Sequence, residues 1–246
     1  MKLKKKIAWI AFAGVIISVV LWLGAAYSIT GRNTDKLWLH RCNSLEKMDE
    51  MAERFPNIEV DLVYRGKGLF DVTHDEEVTF NLPVDSFLRR IGRSGNHMWL
   101  DIKNLDRGGY PAYIELDSLR RLYGVGKDQL IIESNSPDAL KRFTDSGYYT
   151  SFYIPFEHPS KLSDKQMENA IDSLRRVADS GKGKTLSFPG WWYNPIIDHL
   201  DRDIDLLTWK HRSTELEMNL IPSNRRMIDD SRLKVILVKA KGSYHR

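Results

Sequence analysis

Apolar runs that end in charge recur along the chain at 37–44, 58–63 and 99–104. Within them apolar and polar positions alternate with a period of two, the pattern of a β-strand with two different faces. Between such runs the apolar positions fall at helical spacing. The segment 44–55 places Leu45, Met48, Met51 and Ala52 on one face, with Ser44 as N-cap and Asn43 nearly as good. The segments 84–95, 113–124, 137–147 and 163–181 read as further helices. The third of these begins on Pro137 and stops at Gly147, and the last repeats Ile171, Leu174 and Val177. A short helix is expected over 195–200 and a weakly helical, irregular stretch before the last strand. Strands are predicted from 37, 58, 97, 129, 148, 184, 203 and 233, with 69–75 as an extension of the second beyond a turn at 64–68. Eight β–α alternations without a Gly-x-Gly-x-x-Gly turn predict a (β/α)8 TIM barrel rather than a dinucleotide-binding sheet. No internal repeat or low-complexity segment interrupts this rhythm.

The first thirty residues follow a different pattern. Lys2, Lys4, Lys5 and Lys6 precede an apolar run over 7–27, long enough to cross about 30 Å of hydrocarbon as a helix. With the lysines held on the cytoplasmic side, the rest of the chain would lie outside the cytoplasm, periplasmic or extracellular. A signal segment cleaved near the small residues Gly24, Ala25 and Ala26 is the competing reading, in which the chain is secreted. The apolar run exceeds the roughly 7–15 residues of a signal core, which favours an uncleaved transmembrane anchor. The expected organisation is an anchor or signal segment at 1–30, a linker at 31–36 and one barrel at 37–246. Those four lysines equal the whole formal net charge of +4, leaving the remainder near neutral. No nucleic acid partner is expected, because a binding domain would carry its own basic stripe. The single cysteine, Cys42, excludes an intrachain disulfide and reads as a small buried hydrophobe beside a strand end.

Polar residues late in barrel strands line the mouth where ligands bind. Glu59 and Asp61 lie two apart, as do Asp101 and Lys103, so each pair projects from one strand face. Three carboxylates at the ends of successive parallel strands make a site for a hard divalent cation, Ca2+ or Mg2+. His40 and His74, beside Arg41 and Lys103, supply acid–base chemistry on a phosphate. Each residue also has a plain structural reading. His40 could be a structural hydrogen-bonder, the Thr73-His74-Asp75 turn a local cap, and Asp101 the partner of Lys103. Glu133 and Lys210 could form an ion pair at the mouth. Trp191, Trp192 and Tyr193 could form an apolar lip or pack in the core.

His40-Arg41, Asn43-Ser44, Glu59-x-Asp61, Thr73-His74-Asp75 and Asp101-Ile102-Lys103 resemble, in order and spacing, the glycerophosphodiester phosphodiesterase family. That family belongs to the phospholipase-C-like phosphodiesterase barrels. The resemblance covers about the first third of the barrel; beyond it, only the β–α rhythm and 206–210 follow the family. It implies metal-dependent phosphodiester hydrolysis of a glycerophosphodiester or phospholipid-like substrate. Glu59, Asp61 and Asp101 would bind the cation, His40 and His74 would act as general base and acid, and Arg41 and Lys103 would hold phosphate oxygens. The chain departs from the family's pattern by Cys42 in place of glycine, by a shortened stretch between His40-Arg41 and Glu59, and by aspartate at 101 where glutamate is commoner. It also lacks an insertion after His74 and a glycine-aspartate ending on the last strand. These departures bear on the substrate more than on the chemistry. They also motivate a rival reading, a non-catalytic envelope binding or assembly protein on a phosphodiesterase-like barrel; another metal-dependent barrel hydrolase is a third.

Overall fold

The computed structural model describes residues 2–29, 33, 35–210 and 212–240, with the side chains of 2–8, 10, 23 and 25–29 left out. Nine strands form one sheet: β1 (Leu37–Leu39), β2 (Ile58–Gly66), β3 (Leu69–Val72), β4 (Met98–Ile102), β5 (Leu130–Ser134), β6 (Tyr149–Tyr153), β7 (Thr185–Pro189), β8 (Asp205–Trp209) and β9 (Leu233–Val238). Eight of them run parallel in the order β1-β9-β8-β7-β6-β5-β4-β2, and pairing of β1 with β2 closes the barrel. β3 is the exception, folding back antiparallel on β2. This is the TIM-barrel α/β fold that the sequence predicts, with every strand where its alternation placed it. Residues 241–246 and the linker glycine Gly31 lie outside the described residues.

The helices are α1 (Lys2–Ile29), α2 (Leu45–Met51), α3 (Asp85–Ser94), α4 (Leu105–Leu122), α5 (Pro137–Asp145), α6 (Asp164–Asp179), α7 (Tyr193–His199), α8 (Glu215–Leu220) and α9 (Pro222–Asp229). Their ends follow local chemistry. Ser44 caps α2 by accepting from the Lys47 amide, and Ser163 and Gln166 form a reciprocal capping box on α6. α3 stops at Gly95, whose φ of 72° suits glycine. α4 begins earlier than its periodicity predicts, at Leu105 rather than 113, and kinks at Gly109. Its opening turn is tied to β2 by Asn104, which accepts from the Tyr64 amide and donates to the Tyr64 carbonyl, both at 2.9 Å.

Two apolar cores result from the strand alternation. Outward residues such as Val60, Leu62, Leu100 and Ile132 pack under the helices. Inward residues Trp38, Trp99, Ile131, Leu207, Trp209, Val235 and Leu237 fill the barrel itself. The barrel is therefore a packed core, with an apolar layer beneath the polar residues of its mouth.

The expected membrane anchor falls on α1, where Trp9, Phe12, Val15, Val20, Leu21 and Trp22 are exposed. Among the described residues, no helix is long and apolar enough to cross a membrane. The transmembrane expectation for 7–27 is thus not supported by the structure, part of that segment lying outside the described side chains.

Candidate active site

Strand register assembles the acidic cluster. Asp61 on β2 is level with Asp101 on β4, which is level with Glu133 on β5. With Val60 and Leu62 turned outward, Glu59 and Asp61 face the barrel mouth, as the alternation predicts. Glu59, Asp61 and Asp101 each offer a carboxylate oxygen within 4.8 Å of the others. They line a cavity of about 310 Å³ together with His40, Arg41, His74, Lys103 and Glu133. All seven residues singled out in the sequence therefore meet in one cavity.

The turn after β1 is held through its backbone. The His40 amide donates to the Val238 carbonyl at 2.9 Å and the Cys42 amide to the Glu59 carbonyl at 2.8 Å. Between them Arg41 adopts a φ of 51°, and its amide donates to Glu59 Oε2 at 2.6 Å. His40 Nε2 lies 3.8 Å from the same Glu59 oxygen, and Arg41 Nε lies 3.8 Å from Asp61 Oδ2. Asn43 clasps Asp61, donating from Nδ2 to Oδ2 at 2.7 Å and accepting from the Asp61 amide at 3.0 Å. His74 enters from the loop after β3, half-exposed, with Nδ1 2.8 Å from Asp75 Oδ1. The local turn anticipated there also forms, Thr73 Oγ1 accepting from the Asp75 amide at 3.3 Å. Cys42 is fully buried, and burial pushes its thiol up to about 12, so it is a packed hydrophobe as expected.

Charge is unevenly compensated within the cluster. Lys103 Nζ lies 2.6 Å from Asp61 Oδ1 and also bonds Asp101, so the Asp101–Lys103 ion pair exists alongside the carboxylate cluster. Burial opposes the Lys103 charge, but Asp101 and Asp61 hold its ammonium above the ordinary lysine value. Burial likewise opposes the Asp61 charge, yet Lys103 and Asn43 keep that carboxyl below its usual range. For Asp101, burial outweighs the Lys103 contact and the carboxyl is raised. Glu59 fares worst: burial first, then repulsion from Asp61 and Asp101, push it well above the carboxylate range. The donor set is one that could hold a divalent cation. Three carboxylates converging above an apolar floor match the oxygen-rich site of Ca2+ or Mg2+.

Glu133 is buried beside them and held by the Trp99 indole N–H at 2.8 Å and by the Ser187 hydroxyl. Among the described residues it forms no ion pair with Lys210, so that expected mouth pair is replaced by a buried hydrogen-bonded carboxyl. The aromatic triplet splits. Trp192 and Tyr193 are buried, donating to the Glu157 carbonyl and to Asp230 at 3.0 Å each, whereas Trp191 stays exposed and lines the cavity. Opposite the charged wall, Tyr153 stacks on Trp209 with ring centres 5.4 Å apart. Asn43 and the Tyr153–Trp209 wall were not singled out from the sequence. The first was visible only as part of a motif, and the second needs strands 56 positions apart to meet.

The fold and the site together describe a TIM barrel whose mouth carries a cation-competent carboxylate cluster flanked by two histidines, an arginine and a lysine. No family model matches the chain, and no curated protein matches it. Two solved structures of a calcium-dependent phosphoinositol-specific phospholipase C from a Gram-negative Pseudomonas species are similar to it at 10% identity. The apo form with myoinositol matches with a TM-score of 0.50, covering 82% of this chain and 87% of the other. A second crystal form of the apo enzyme matches with a TM-score of 0.52, covering 85% and 91%. At that identity the likeness is one of fold.

Proposed function

We propose that the chain is a divalent-cation-dependent phosphodiester hydrolase acting on glycerophosphodiester or phospholipid-like substrates. The observation that carries this reading is the convergence of Glu59, Asp61, Asp101, His40, His74, Arg41 and Lys103 on one cavity at the barrel mouth. The resemblance in motif order and the fold shared with a phospholipase C support it from independent directions.

Glu59, Asp61 and Asp101 would hold the cation, which when bound neutralises charge on a nonbridging phosphate oxygen. Arg41 and Lys103 bind the remaining phosphate oxygens; the half-exposed Arg41 guanidinium is free to swing from Asp61 onto a ligand. His40 accepts the proton of the attacking oxygen, whether that oxygen belongs to water or to a hydroxyl of the substrate. His74 donates a proton to the departing oxygen, with Asp75 fixing its ring through Nδ1. Attack by a substrate hydroxyl gives a cyclic phosphate and attack by water a phosphomonoester. In both cases one P–O bond forms, one breaks, and one proton passes through the histidine pair. The apolar segment over 7–27 would tether this mouth to a bilayer on its non-cytoplasmic side.

The test is phosphorus NMR of the full chain in detergent with glycerophosphodiesters, lysophospholipids, sphingomyelin and phosphoinositol diesters, in Ca2+, in Mg2+ and in chelator. A new phosphomonoester or cyclic phosphate signal that chelator removes is expected. Silence across that panel from folded, cation-bound protein would refute hydrolysis, and calorimetric binding without product would replace it with the binding-protein reading.

A further inference from the structure

Lys47 occupies the third position of α2, where its amide donates to the Ser44 cap at 3.1 Å. That position ordinarily favours glutamate or glutamine, which reaches back to the cap, and the positive end of the helix dipole disfavours a cation there. The ammonium is also nearly buried, at 9% residue exposure, which opposes its charge a second time. What its far end does offsets that misfit. Lys47 Nζ reaches back across the turn and donates to the His40 carbonyl at 2.8 Å and to the Arg41 carbonyl at 2.7 Å.

Those two carbonyls belong to the residues that the proposed chemistry needs placed most accurately. The amides of 40–42 are anchored on β9 and β2, so the ammonium completes the fixing of the turn from its other side. It also holds Arg41 at a φ of 51°, a left-handed conformation costing a non-glycine residue about 1 kcal/mol or more. We propose that Lys47 is the positioning residue of this site, a single buried cation that locks the His40-Arg41 turn and thereby aims the imidazole and the guanidinium into the cavity. The proposal rests on the phosphodiesterase reading for what that aim accomplishes. It goes beyond it in assigning the aim to a residue that does not line the cavity.

The test compares the full chain with its Lys47→Met and Lys47→Arg variants. Calcium binding by calorimetry should persist in both, because the three carboxylates stand on β2 and β4; any weakening in Lys47→Met comes through the Arg41 amide that bonds Glu59, and Lys47→Arg should restore it. In Lys47→Met, kcat per folded molecule should fall about 100-fold with KM within about threefold, and Lys47→Arg should recover at least about a tenth of the original kcat. Nitrogen-edited NMR of the imidazoles gives a readout without turnover. The His40 signal should shift or double in Lys47→Met while those of His97 and His199 stay in place.

A folded Lys47→Met chain with undiminished kcat and an unmoved His40 signal would overturn the proposal. So would loss of fold or of calcium binding that Lys47→Arg does not restore, since that is ordinary structural support. Absence of turnover in the unsubstituted chain is instead a failure of the phosphodiesterase reading, and Lys47 then stands or falls on the His40 signal.

Discussion

Glu59→Gln should have opposite effects on the cation-free and the cation-bound protein. The amide keeps the shape of the side chain and an oxygen able to accept from the Arg41 amide, but removes one charge from the cluster. Two unit charges 4.8 Å apart repel by about 3 kcal/mol at an effective dielectric constant of about 20. Lys103 sits against Asp61 and Asp101 rather than Glu59, so most of the repulsion that falls on Glu59 is left standing. After offset by Lys103 and by partial protonation, substitution should relieve roughly 1–2 kcal/mol, a rise in Tm of about 2–8 °C in chelator for a chain of this size. Calcium at a hundred times its Kd should add about 2.7 kcal/mol to the original chain, about 5–11 °C, and almost nothing to the variant. The pH dependence follows from the raised Glu59 carboxyl. Between the ordinary glutamate range and its raised value the folded state binds the extra proton, so this group's contribution is full at acid pH and is lost as pH rises. As pH rises above the ordinary glutamate range, melting curves in chelator should therefore fall more steeply for the original chain than for Glu59→Gln, and calcium should flatten the difference. A variant that melts lower than the original in chelator, or that keeps the full calcium shift, would refute this account of the cluster.

His40→Ala should lower kcat by about 10²–10⁴ while leaving the calcium-induced rise in Tm intact, a separation of chemistry from cation binding read by turnover and melting together. Lys103→Met leaves Asp61 and Asp101 facing each other without their ammonium, so it should cost about 3 kcal/mol in chelator, measured by urea unfolding, and calcium should recover most of that loss. Cys42, buried and with its thiol pushed up to about 12, should be silent to a disulfide-exchange reagent in the native chain and should titrate as one thiol after unfolding. Rapid native labelling would show that the turn above it opens.

The barrel was legible because inward and outward faces of each strand carry different chemistry. Val60 and Leu62 could face only helices once Glu59 and Asp61 faced the mouth, and Asp101 and Lys103 repeat the same alternation one strand on. Helix limits were legible where a cap marks them, as at Ser44, Ser163 and Pro137. They were not legible where tertiary contacts extend a helix: the helix read over 113–124 opens at Leu105, because Asn104 docks its first turn on Tyr64. Three consecutive aromatics carried no signal for their separate fates, because the turn into α7 sends Trp192 and Tyr193 inward and leaves Trp191 at the rim. Lys47 was illegible for the same kind of reason. Its position on the helix predicts an exposed residue at an unfavourable place, and only the carbonyls beneath it explain why it is there.

The acidic cluster shows how the fold sets the terms of its own chemistry. Trp99, Ile131, Leu207 and Val235 close the barrel below the carboxylates, so these are desolvated from beneath and answer to charge supplied from above or from the side. Lys103 supplies it to Asp61 and Asp101 and the half-exposed Arg41 supplies it loosely to Asp61, while Glu59 accepts from the Arg41 backbone amide, with His40 Nε2 3.8 Å away. The carboxylate that most needs a cation is thus the one bonded to the backbone of the His40-Arg41 turn. A cation held by Glu59 and the turn held by Lys47 bear on the same few atoms from opposite sides. The site's electrostatics and the placement of its proposed base are in this way two consequences of one hydrogen-bonded junction between β1, β2 and α2.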